Sequence, residues 1–504
     1  MHLLRLTIEA MSPISIGSGE DIPREIATQD GTDEKTAQVE ALMRDANYLP
    51  TIPGGSVQGV CRHLYARVYG EEKAREVFGF ENPDGTGSPG RVRLFWGLVH
   101  DAQDRAATGL TDLTGTNDAF LELLLKDFPI FRDRVALNER LSVDDARKFG
   151  RGAVPVGTRF SFELEAMGGD ETREMLLEIA ALFAHPEFRI GGGASAGYGR
   201  IRLIRASHAA PVDPIELRDI RRQRPDIALE KELQNDELNT PSSGGTRAVL
   251  TLKFPDGVRI GAHTPPDGTS QNEEFQTLWV QRELRFRPAG NGGIGTIEDY
   301  YPLPGSGFRG VLAHRMAFHA NKNADNTINV DEILNLSEEA RKSKLAEMAA
   351  RPASLDLFLG HAKEKLSDPR DGAASRLIVD DSAFFGCAEP EKFMHNSIDR
   401  FTGGVRDQTG ALFCEEYLLS PTAQVCLTIL PPTDICDDGV GGWPPSVADA
   451  FLLALRDILT GRLPIGGRSL GRCAGSVIWE GAESAAWEAA ASKFGLPITG
   501  RSEI

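Results

Sequence analysis

The side chains best suited to chemistry are carboxylates crowded into one polar stretch near the start of the chain. Residues 20–45 contain Glu20, Asp21, Glu25, Asp30, Asp33, Glu34, Glu40 and Asp45. A carboxylate can act as a general base or hold a divalent metal, although most charges in a polar loop are simply solvated. The sequence has no G-x-S-x-G elbow and no recognisable Cys/His arrangement, so a covalent nucleophile is not indicated.

The cysteines and histidines do not predict a structural metal site. The six cysteines lie far apart without C-x-x-C spacing, so neither zinc nor a disulfide framework is expected. His314 and His319 are five residues apart, whereas two ligands on one helical face need a spacing of four. These residues do not identify a cofactor, and they are compatible with a divalent metal such as Mg²⁺.

Composition is typical of a soluble globular protein of about two to four domains. The 504 residues are 41% hydrophobic and 25% charged. No apolar run approaches the ~18 residues of a membrane span. The first residues, MHLLRLTIEAM, alternate as a half-buried strand does and do not form a signal peptide, so we expect a cytoplasmic protein without a membrane partner.

The net charge of −18 disfavours indiscriminate nucleic-acid binding but does not exclude a local basic groove.

A Pro-Gly phrase occurs twice, half a chain apart, as PGGSVQG at 53–59 and PGSGFRG at 304–310. An alternating strand, a glycine and a polar loop precede each copy, and a helical pattern follows it. Further blocks match in order: a strand led by arginine, a long polar hairpin (133–166 and 395–430) and a glycine-rich loop opening onto a strand (189–204 and 464–479). Matching blocks in matching order predict two similar domains in tandem.

The expected organisation is α+β, with strands and helices mixed between long polar excursions. We place the first domain at 1–205 and the second at 247–480. Residues 206–246 are charged and short of apolar periodicity, which indicates a linker. Residues 321–353 are predicted to be a helical insertion, and 481–504 a C-terminal helical tail.

Both Pro-Gly phrases place small residues at the start of a helix, where free backbone N–H groups suit a phosphate. The first copy supplies Gly54, Gly55 and Ser56, with Arg62 nearby. The second supplies Gly305 and Ser306, with Arg309 and Arg315 nearby. A plain turn and helix cap is the alternative interpretation.

The glycine-rich loops and the second hairpin extend this set of candidates. Neither loop opens a helix or carries Gly-Lys-Ser/Thr, so the dinucleotide and P-loop patterns fail. Such a loop still lets an RNA backbone approach, beside Arg200, Arg468 or Arg472, although a bulge between strands is equally compatible. In HNSIDRFTGG (395–404), Arg400 can hold a phosphate while Phe401 stacks on a base; an ordinary surface turn is the alternative.

These blocks resemble the RAMP superfamily of CRISPR-associated proteins, specifically the backbone subunits of type III effector complexes. The similarity rests on the two Pro-Gly phrases, on HNSIDRFTGG followed by GALFCEE (410–416), which resembles the family's thumb hairpin, and on the closing glycine loops. It covers nearly the whole chain outside the linker, the insertion and the tail. A tandem fusion of two such subunits resembles the type III-D arrangement.

The resemblance implies a modified ferredoxin-like (RRM-like) fold in each domain, with thumb hairpins that interrupt a guide–target duplex. It also implies guide RNA, target RNA and other type III effector subunits as partners, in antiviral defence. Gln58 stands where the family often has lysine, which puts one guide contact in doubt.

Target cleavage in this family uses an acidic residue, usually Asp, in the loop before the Pro-Gly phrase. Glu40 lies nearest that position, and Asp33 and Asp45 are substitutes. Such an acid can deprotonate a 2′-hydroxyl or orient a metal-bound water. The second domain offers only Glu273 and Glu274, so we expect it to be a poor nuclease. A non-catalytic structural subunit and a guide-RNA processing endoribonuclease remain as alternatives.

Overall fold

The computed structural model describes most of the chain, in segments separated by short gaps. The described residues are 1–26, 35–82, 84–137, 143–169, 171–211, 213–234, 238–242, 244–262, 276–289, 293–324, 330–349, 351–361, 372–387, 389–405, 412–433, 435–467 and 471–499. We refer to residues 1–245 as the first half and to 246–504 as the second half.

The first half contains twelve described strands and five described α-helices. In chain order they are β1 His2–Ala10, β2 Gly17–Ile26, β3 Lys35–Leu42, α1 Gly54–Tyr69, α2 Glu71–Phe78, β4 Gly79–Glu81, β5 Gly87–Pro89, β6 Val92–Leu94, β7 Leu98–Val99, α3 Ala119–Leu124, β8 Ile130–Leu137, β9 Val143–Ala153, β10 Arg159–Ala166, α4 Glu171–Phe183, β11 Ile201–Ala209, α5 Pro214–Arg222 and β12 Lys231–Glu232.

The second half contains eleven described strands and six described α-helices. They are β13 Thr246–Lys253, β14 Gln276–Leu278, β15 Glu283–Arg287, β16 Thr296–Tyr300, β17 Pro302–Leu303, α6 Gly305–Asn323, α7 Val330–Leu334, α8 Glu338–Ala349, α9 Asp356–Leu359, β18 Leu377–Val379, β19 Ser382–Phe385, β20 Glu391–Asn396, β21 Leu412–Tyr417, β22 Thr422–Ile429, α10 Pro445–Leu459, β23 Ala474–Gly481 and α11 Ser484–Lys493. This mixture of helix and strand confirms the expected α+β class.

Each half is built on one main antiparallel sheet, and the two sheets share the order of four strands. In the first half these are β11–β1–β10–β6, with β12 paired to β11 and β7 to β10. In the second half they are β23–β13–β22–β18, with β19 also paired to β22 and β17 to β19. In both, the first strand of the half lies centrally between the strand after the hairpin and the strand after the glycine-rich loop.

Two separate hydrophobic cores fill the space between each sheet and its helices. In the first half, α1 and α4 contribute Val57, Leu64 and Ile179 to a core with β1. In the second, α6 and α10 contribute Phe308 and Phe451 to a core with β13. Burial of these apolar faces is the main source of stability for each half.

Strand β1 is more buried than its alternating sequence predicts, because its polar face is covered too. Arg5 is buried and donates to Glu163 at 2.9 Å and to the backbone oxygen of Ile220 at 2.7 Å. Ile220 belongs to α5, within the segment expected to be a linker, and β12 of that segment pairs with β11. Strand β13, in contrast, has the expected alternation of buried and partly exposed residues.

The halves contact each other at a surface that we call the inner joint. The hairpin β8–β9 and the loop 189–199 of the first half pack against the start of α6 and the segment after β18 in the second half. The hairpin β15–β16 also packs on the first half, where Phe286 stacks on Phe120 at 4.0 Å between ring centroids.

No helix in the described part of the chain is long and apolar enough to cross a membrane. All six cysteines are free thiols.

Candidate nucleic-acid interface

Glu40, the first catalytic candidate, lies on the two-stranded hairpin β2–β3. It pairs across the hairpin with Asp21, its side chain is exposed, and its carboxyl group lies directly against Gly17. A side chain at position 17 would displace this carboxyl group, which can move because it is the end of a flexible, exposed side chain. Asp33, the second candidate, lies outside the described residues.

Asp45, the third candidate, shapes the loop between β3 and the first Pro-Gly phrase. Its Oδ1 accepts hydrogen bonds from the backbone N–H groups of Asn47 at 2.8 Å and Leu49 at 2.9 Å. The turn closed by these bonds places Tyr48 at a positive φ of 63°. The Asp45 carboxylate is therefore engaged in holding the turn.

Arg44 holds the same loop from the other side, a role that no sequence pattern predicted. Its guanidinium donates to the backbone oxygens of Leu124 at 3.0 Å and Asp127 at 3.2 Å, and it lies 4.4 Å from the centroid of the Tyr48 ring. Burial lowers the pKa of Arg44, and a hydrogen bond to Asp127 raises the pKa of Tyr48.

The N-terminus of α1, formed by the first Pro-Gly phrase, faces outward. Gly54 is buried against the backbone oxygen of Leu94, whereas Gly55 and Ser56 are exposed. The first turn carries no acidic residue and no side-chain cap. Trp96, two residues after β6, has half of its side chain exposed. Backbone N–H groups at such an end suit an anion.

Arg62, the cation predicted beside this end, forms a surface ion pair with Glu71 at 2.6 Å. Both side chains are substantially exposed, so the pair holds the arginine weakly and leaves it available to a phosphate.

The N-terminus of α6 is closed, although it begins with the same phrase. The backbone N–H of Gly305 donates to Oδ1 of Asp381 at 2.7 Å. Asp381 is also paired with Arg132 of β8, and Arg132 makes two bonds to Glu283, at 2.6 and 2.7 Å. A carboxylate thus occupies the position that the sequence assigned to a phosphate near Gly305.

Burial and charge oppose each other in this group. Burial acts to lower the pKa of Arg132, but the carboxylates of Asp381 and Glu283 outweigh it and hold that pKa well above its usual value. Burial raises the pKa of Asp381, and Arg132 opposes that rise. The OH of Tyr300 donates to Glu283 at 2.8 Å, which together with burial raises the tyrosine pKa. Arg132, Asp381 and Glu283 compensate one another's charges only when all three are present.

The first glycine-rich loop belongs to the inner joint. Gly197 has a φ of +97°, and a Cβ there would collide with the Asp381 carboxylate. The adjacent Arg189 donates to Asp380 at 2.6 Å. The small residues of this loop therefore allow close contact between the two halves of the chain.

Arg309 and Arg315, the two predicted cations of α6, both have internal partners. Arg309 donates to the backbone oxygen of Leu359, and burial, followed by repulsion from Arg351, lowers its pKa. Arg315 donates to the buried Asp457 at 2.7 Å. Ser306, beside them at the helix start, is partly exposed.

The tip of the second hairpin is an ordered turn with an exposed aromatic ring. Oδ1 of Asp399 accepts from the backbone N–H groups of Phe401 and Thr402, both at 2.9 Å, and these bonds lower the pKa of Asp399. Phe401 is 100% exposed and Arg400 is also exposed. An exposed ring on a rigid turn, beside a cation, is suited to stacking on a base.

The remaining predicted arginines lie elsewhere. Arg200 lines a cleft of about 430 Å³ between the halves and lies 3.5 Å from the Asp380 carboxylate. Arg472 is exposed before β23, and Arg468 lies outside the described residues.

The sequence did not identify Trp96, Asp381 or Arg132. The acidic pair Asp380–Asp381, directly after the apolar strand LIV, was a signal that could have been noticed. Across the ranges that the structure describes, no three His, Cys, Asp or Glu side chains are grouped so that they could hold a metal ion.

Comparison with known proteins gives a match to one family model and to many solved structures, two of which are chains of CRISPR complexes. No curated protein matches the chain. A chain of the type III-B Cmr-β complex bound to cognate target RNA is 15% identical, with 41% of this chain and 60% of that chain covered and a TM-score of 0.25. A chain of a type IV-B CRISPR complex is 16% identical, with 42% and 92% covered and a TM-score of 0.25. The family model of the RAMP superfamily matches residues 7–202, which make up most of the first half of the chain.

Proposed function

We propose that this protein is a backbone subunit of a type III CRISPR effector ribonucleoprotein, which binds guide RNA and positions complementary target RNA for antiviral defence. The proposal includes a tandem fusion of two RAMP domains, as in type III-D systems, with other effector subunits as partners. It is supported by the RAMP match over residues 7–202 and by the second half, which repeats the sheet order of the matched segment.

We propose in addition that each half is a modified ferredoxin-like domain. The order β11–β1–β10–β6 recurs as β23–β13–β22–β18, with two helices completing each core. The boundary between the domains would lie just before Thr246, where β13 begins.

The observation that carries RNA binding is the hairpin tip of the second half. Phe401 is 100% exposed on a turn whose backbone is held by Asp399, so the turn presents the ring to solvent. Stacking this ring on a base would remove its apolar surface from water, and a base in a guide–target duplex is the partner that the resemblance of HNSIDRFTGG to the family's thumb hairpin favours.

Binding of a guide RNA paired to its target tests this role. Phe401→Ala is expected to weaken binding by about 1–3 kcal/mol, the contribution of one stacked base. Phe385→Ala is the matched control, because Phe385 on β19 is half exposed but lies away from the tip. Equal affinity of wild type and Phe401→Ala would contradict the role of the tip.

Cleavage of the target, if the subunit performs it, is assigned to Glu40. The hairpin contact Gly17–Leu42 corresponds to Gly261–Val280 in the second half, so Leu278 occupies the place of Glu40 there. We therefore propose at most one cut per chain, opposite the first half, because leucine cannot act as a general base.

The reconstituted complex with labelled target RNA tests this assignment. Glu40→Ala should remove one cut, whereas Asp21→Ala, across the hairpin, should leave every cut in place. Addition of EDTA reports whether Mg²⁺ is required. Unchanged cleavage by the Glu40→Ala complex would show that another residue or another subunit makes the cut. Absence of any cut by the wild-type complex would identify this protein as a structural subunit. Precursor guide RNA should stay intact with the isolated protein.

A further inference from the structure

The cleft beside Arg200 lies where three parts of the chain meet. Its lining comes from the first half, from the segment expected to be a linker and from the second half: Met11, residues 184–186 and 200–203, then Leu238 and Thr240, then Arg247 and Asp380. Its volume of about 430 Å³ lies within the range of about 300–1,000 Å³ that is usual for small-molecule sites. The hairpin tip, Glu40 and the start of α1 do not contribute to the described lining, so the cleft is separate from the surfaces proposed for RNA binding and cleavage.

Two arginines of this cleft, one from each half, have only distant carboxylate partners. Arg200 lies 3.5 Å from Asp380, and Arg247 lies 3.4 Å from Glu480. Charge-assisted hydrogen bonds of a guanidinium are usually about 2.7–2.9 Å long. Asp380 already makes a close bond, at 2.6 Å, with Arg189. The side chains of Arg200 and Arg247 are 34% and 35% exposed, so both guanidinium groups can donate to a further anion.

Arg247 is oriented by a neutral group and not by an anion. Its Nε donates to Sγ of the buried Cys426 at 2.7 Å, and a thiol is a weak acceptor. Burial raises the pKa of Cys426, and the nearby charges of Arg247 and Arg200 both oppose that rise. The two guanidinium groups therefore lie around the same thiol, and the thiol does not compensate their charge.

The cleft is locally basic, although the net charge of the chain is −18. Among the described residues that line it, three are arginines and one, Asp380, is a carboxylate. Arg202, the third arginine, donates to Glu9 at 2.7 Å and is compensated. His185 adds no charge at neutral pH, because burial lowers its pKa. This local excess of positive charge favours an anionic ligand.

Apolar side chains form the rest of the cleft. Ile201 and Leu203 pack on the core of the first half but stay partly exposed, as does Met11. Leu238 is buried beside them. A ligand that fills the cleft therefore needs an apolar, preferably flat, part in addition to its anionic group.

The strand edge at the cleft also offers backbone hydrogen-bonding groups. Strand β11 pairs with β1 on one side, and on the other side β12 pairs only with Ser207 and His208 within the described chain. Residues 201–203 therefore form an open edge. The N–H and C=O groups of such an edge can bond the polar rim of a flat ring.

We propose that this cleft binds a nucleoside monophosphate, with the phosphate held by Arg200 and Arg247 and the base against the apolar side chains. A phosphate has three terminal oxygens and can accept from two guanidinium groups, whereas one arginine fork already fills a carboxylate. The bound ligand bridges the two halves of the chain, because each half supplies one arginine. The site does not depend on the proposed function, since neither guide nor target RNA takes part in it.

Calorimetric titration of the RNA-free full-length protein tests the proposal with three probes: adenosine 5′-monophosphate (AMP), ribose 5-phosphate and inorganic phosphate. AMP should bind most tightly and inorganic phosphate most weakly. Arg200→Gln and Arg247→Gln should each lower the affinity for AMP about tenfold or more, the effect of one lost charged hydrogen bond. Arg93→Gln is the matched control, because Arg93 is exposed, lies 3.3 Å from Glu165 and does not line the cleft. Circular dichroism checks that each variant is folded.

Met11→Ala separates the base from the phosphate. This variant should bind AMP more weakly and inorganic phosphate as the wild type does. Saturating AMP should also raise the melting temperature of the wild type but not that of Arg247→Gln, because only a bound ligand stabilises the folded chain.

Three results would overturn the proposal: no binding of AMP, equal affinity for AMP and inorganic phosphate, or the same loss of affinity in Arg93→Gln as in Arg247→Gln. If the wild type ignores AMP and Arg247→Gln instead weakens binding of guide RNA, the cleft belongs to the RNA path. The nucleotide site would then be wrong, and the proposed function would stand.

Discussion

Helices α1 and α6 begin with the same Pro-Gly phrase but have opposite surroundings. At α1, Trp96 lies two residues after the neighbouring strand β6, and the start of the helix is open to solvent. At α6 the corresponding residue is Asp381, which binds the Gly305 N–H and anchors Arg132 from the other half. The backbone contact under the first helical glycine is the same in both.

This difference shows that a repeated backbone does not repeat its chemistry. The Pro-Gly phrase specifies a tight turn into a helix. The side chain two residues after the neighbouring strand then decides whether the N–H groups at the helix start are free for an external anion or already bound to a carboxylate of this chain. We infer that the two copies have separate tasks: α6 holds the halves together, and α1 remains available for a partner.

The largest expected effect comes from removing the cation of the inner joint. Arg132→Ala leaves the buried carboxylates of Asp381 and Glu283 without their cation, so the free energy of unfolding should fall by about 3–5 kcal/mol. Urea unfolding followed by circular dichroism measures the loss. Arg287→Ala breaks an exposed pair with Glu298, and the loss should be much smaller because solvent screens that pair. Equal losses in the two variants would mean that the inner joint is not a buried ionic cluster.

A smaller effect is expected where the glycine-rich loop meets the same carboxylate. Gly197→Ala combines a left-handed backbone with a collision against Asp381, and we expect a loss of about 1–3 kcal/mol. Gly109→Ala is the matched control, since Gly109 also has a positive φ, of +74°, but has open space around it. If both substitutions cost the same, backbone strain alone is responsible and the close contact is unimportant.

The smallest expected effect is the acid sensitivity of one buried contact in the second half. Asp457 on α10 accepts from Arg315 and His319 of α6, and these partners overcome its burial and lower its pKa; burial lowers the pKa of His319. Because both folded-state pKa values are depressed, this stability is present at neutral pH. It should decrease as the pH falls below about 6.5, where an unfolded histidine becomes protonated.

Tryptophan fluorescence follows the unfolding of the second half, because four of the five tryptophans (279, 443, 479 and 487) belong to it. The urea midpoint from fluorescence should fall between pH 7 and pH 5. His319→Gln, which removes the histidine contribution, should show a smaller fall. An equal fall in wild type and variant would exclude His319 as a source of the acid sensitivity.

The α+β class and the starts of α1 and α6 could be predicted from the sequence. They depend on local patterns: alternation in β13, the Pro-Gly phrases before α1 and α6, and Gly residues at tight turns. The exposed tip at Phe401 was also predictable, because its turn is closed by Asp399, two residues away.

The surroundings of those elements could not be predicted, because they depend on contacts distant in sequence. Arg132 and Asp381 are separated by 249 residues, so no local pattern pairs them. The segment 206–246 was expected to be a linker because it lacks apolar periodicity. Its backbone oxygens nonetheless bind Arg5 and bury the polar face of β1.

Sequencing the RNA that co-purifies with the native protein tests the central claim most directly. A backbone subunit of a type III effector complex should carry guides of uniform length that contain repeat-derived sequence, together with the other effector subunits. Purification without RNA, or with fragments of cellular RNA in proportion to their abundance, would contradict the proposed function.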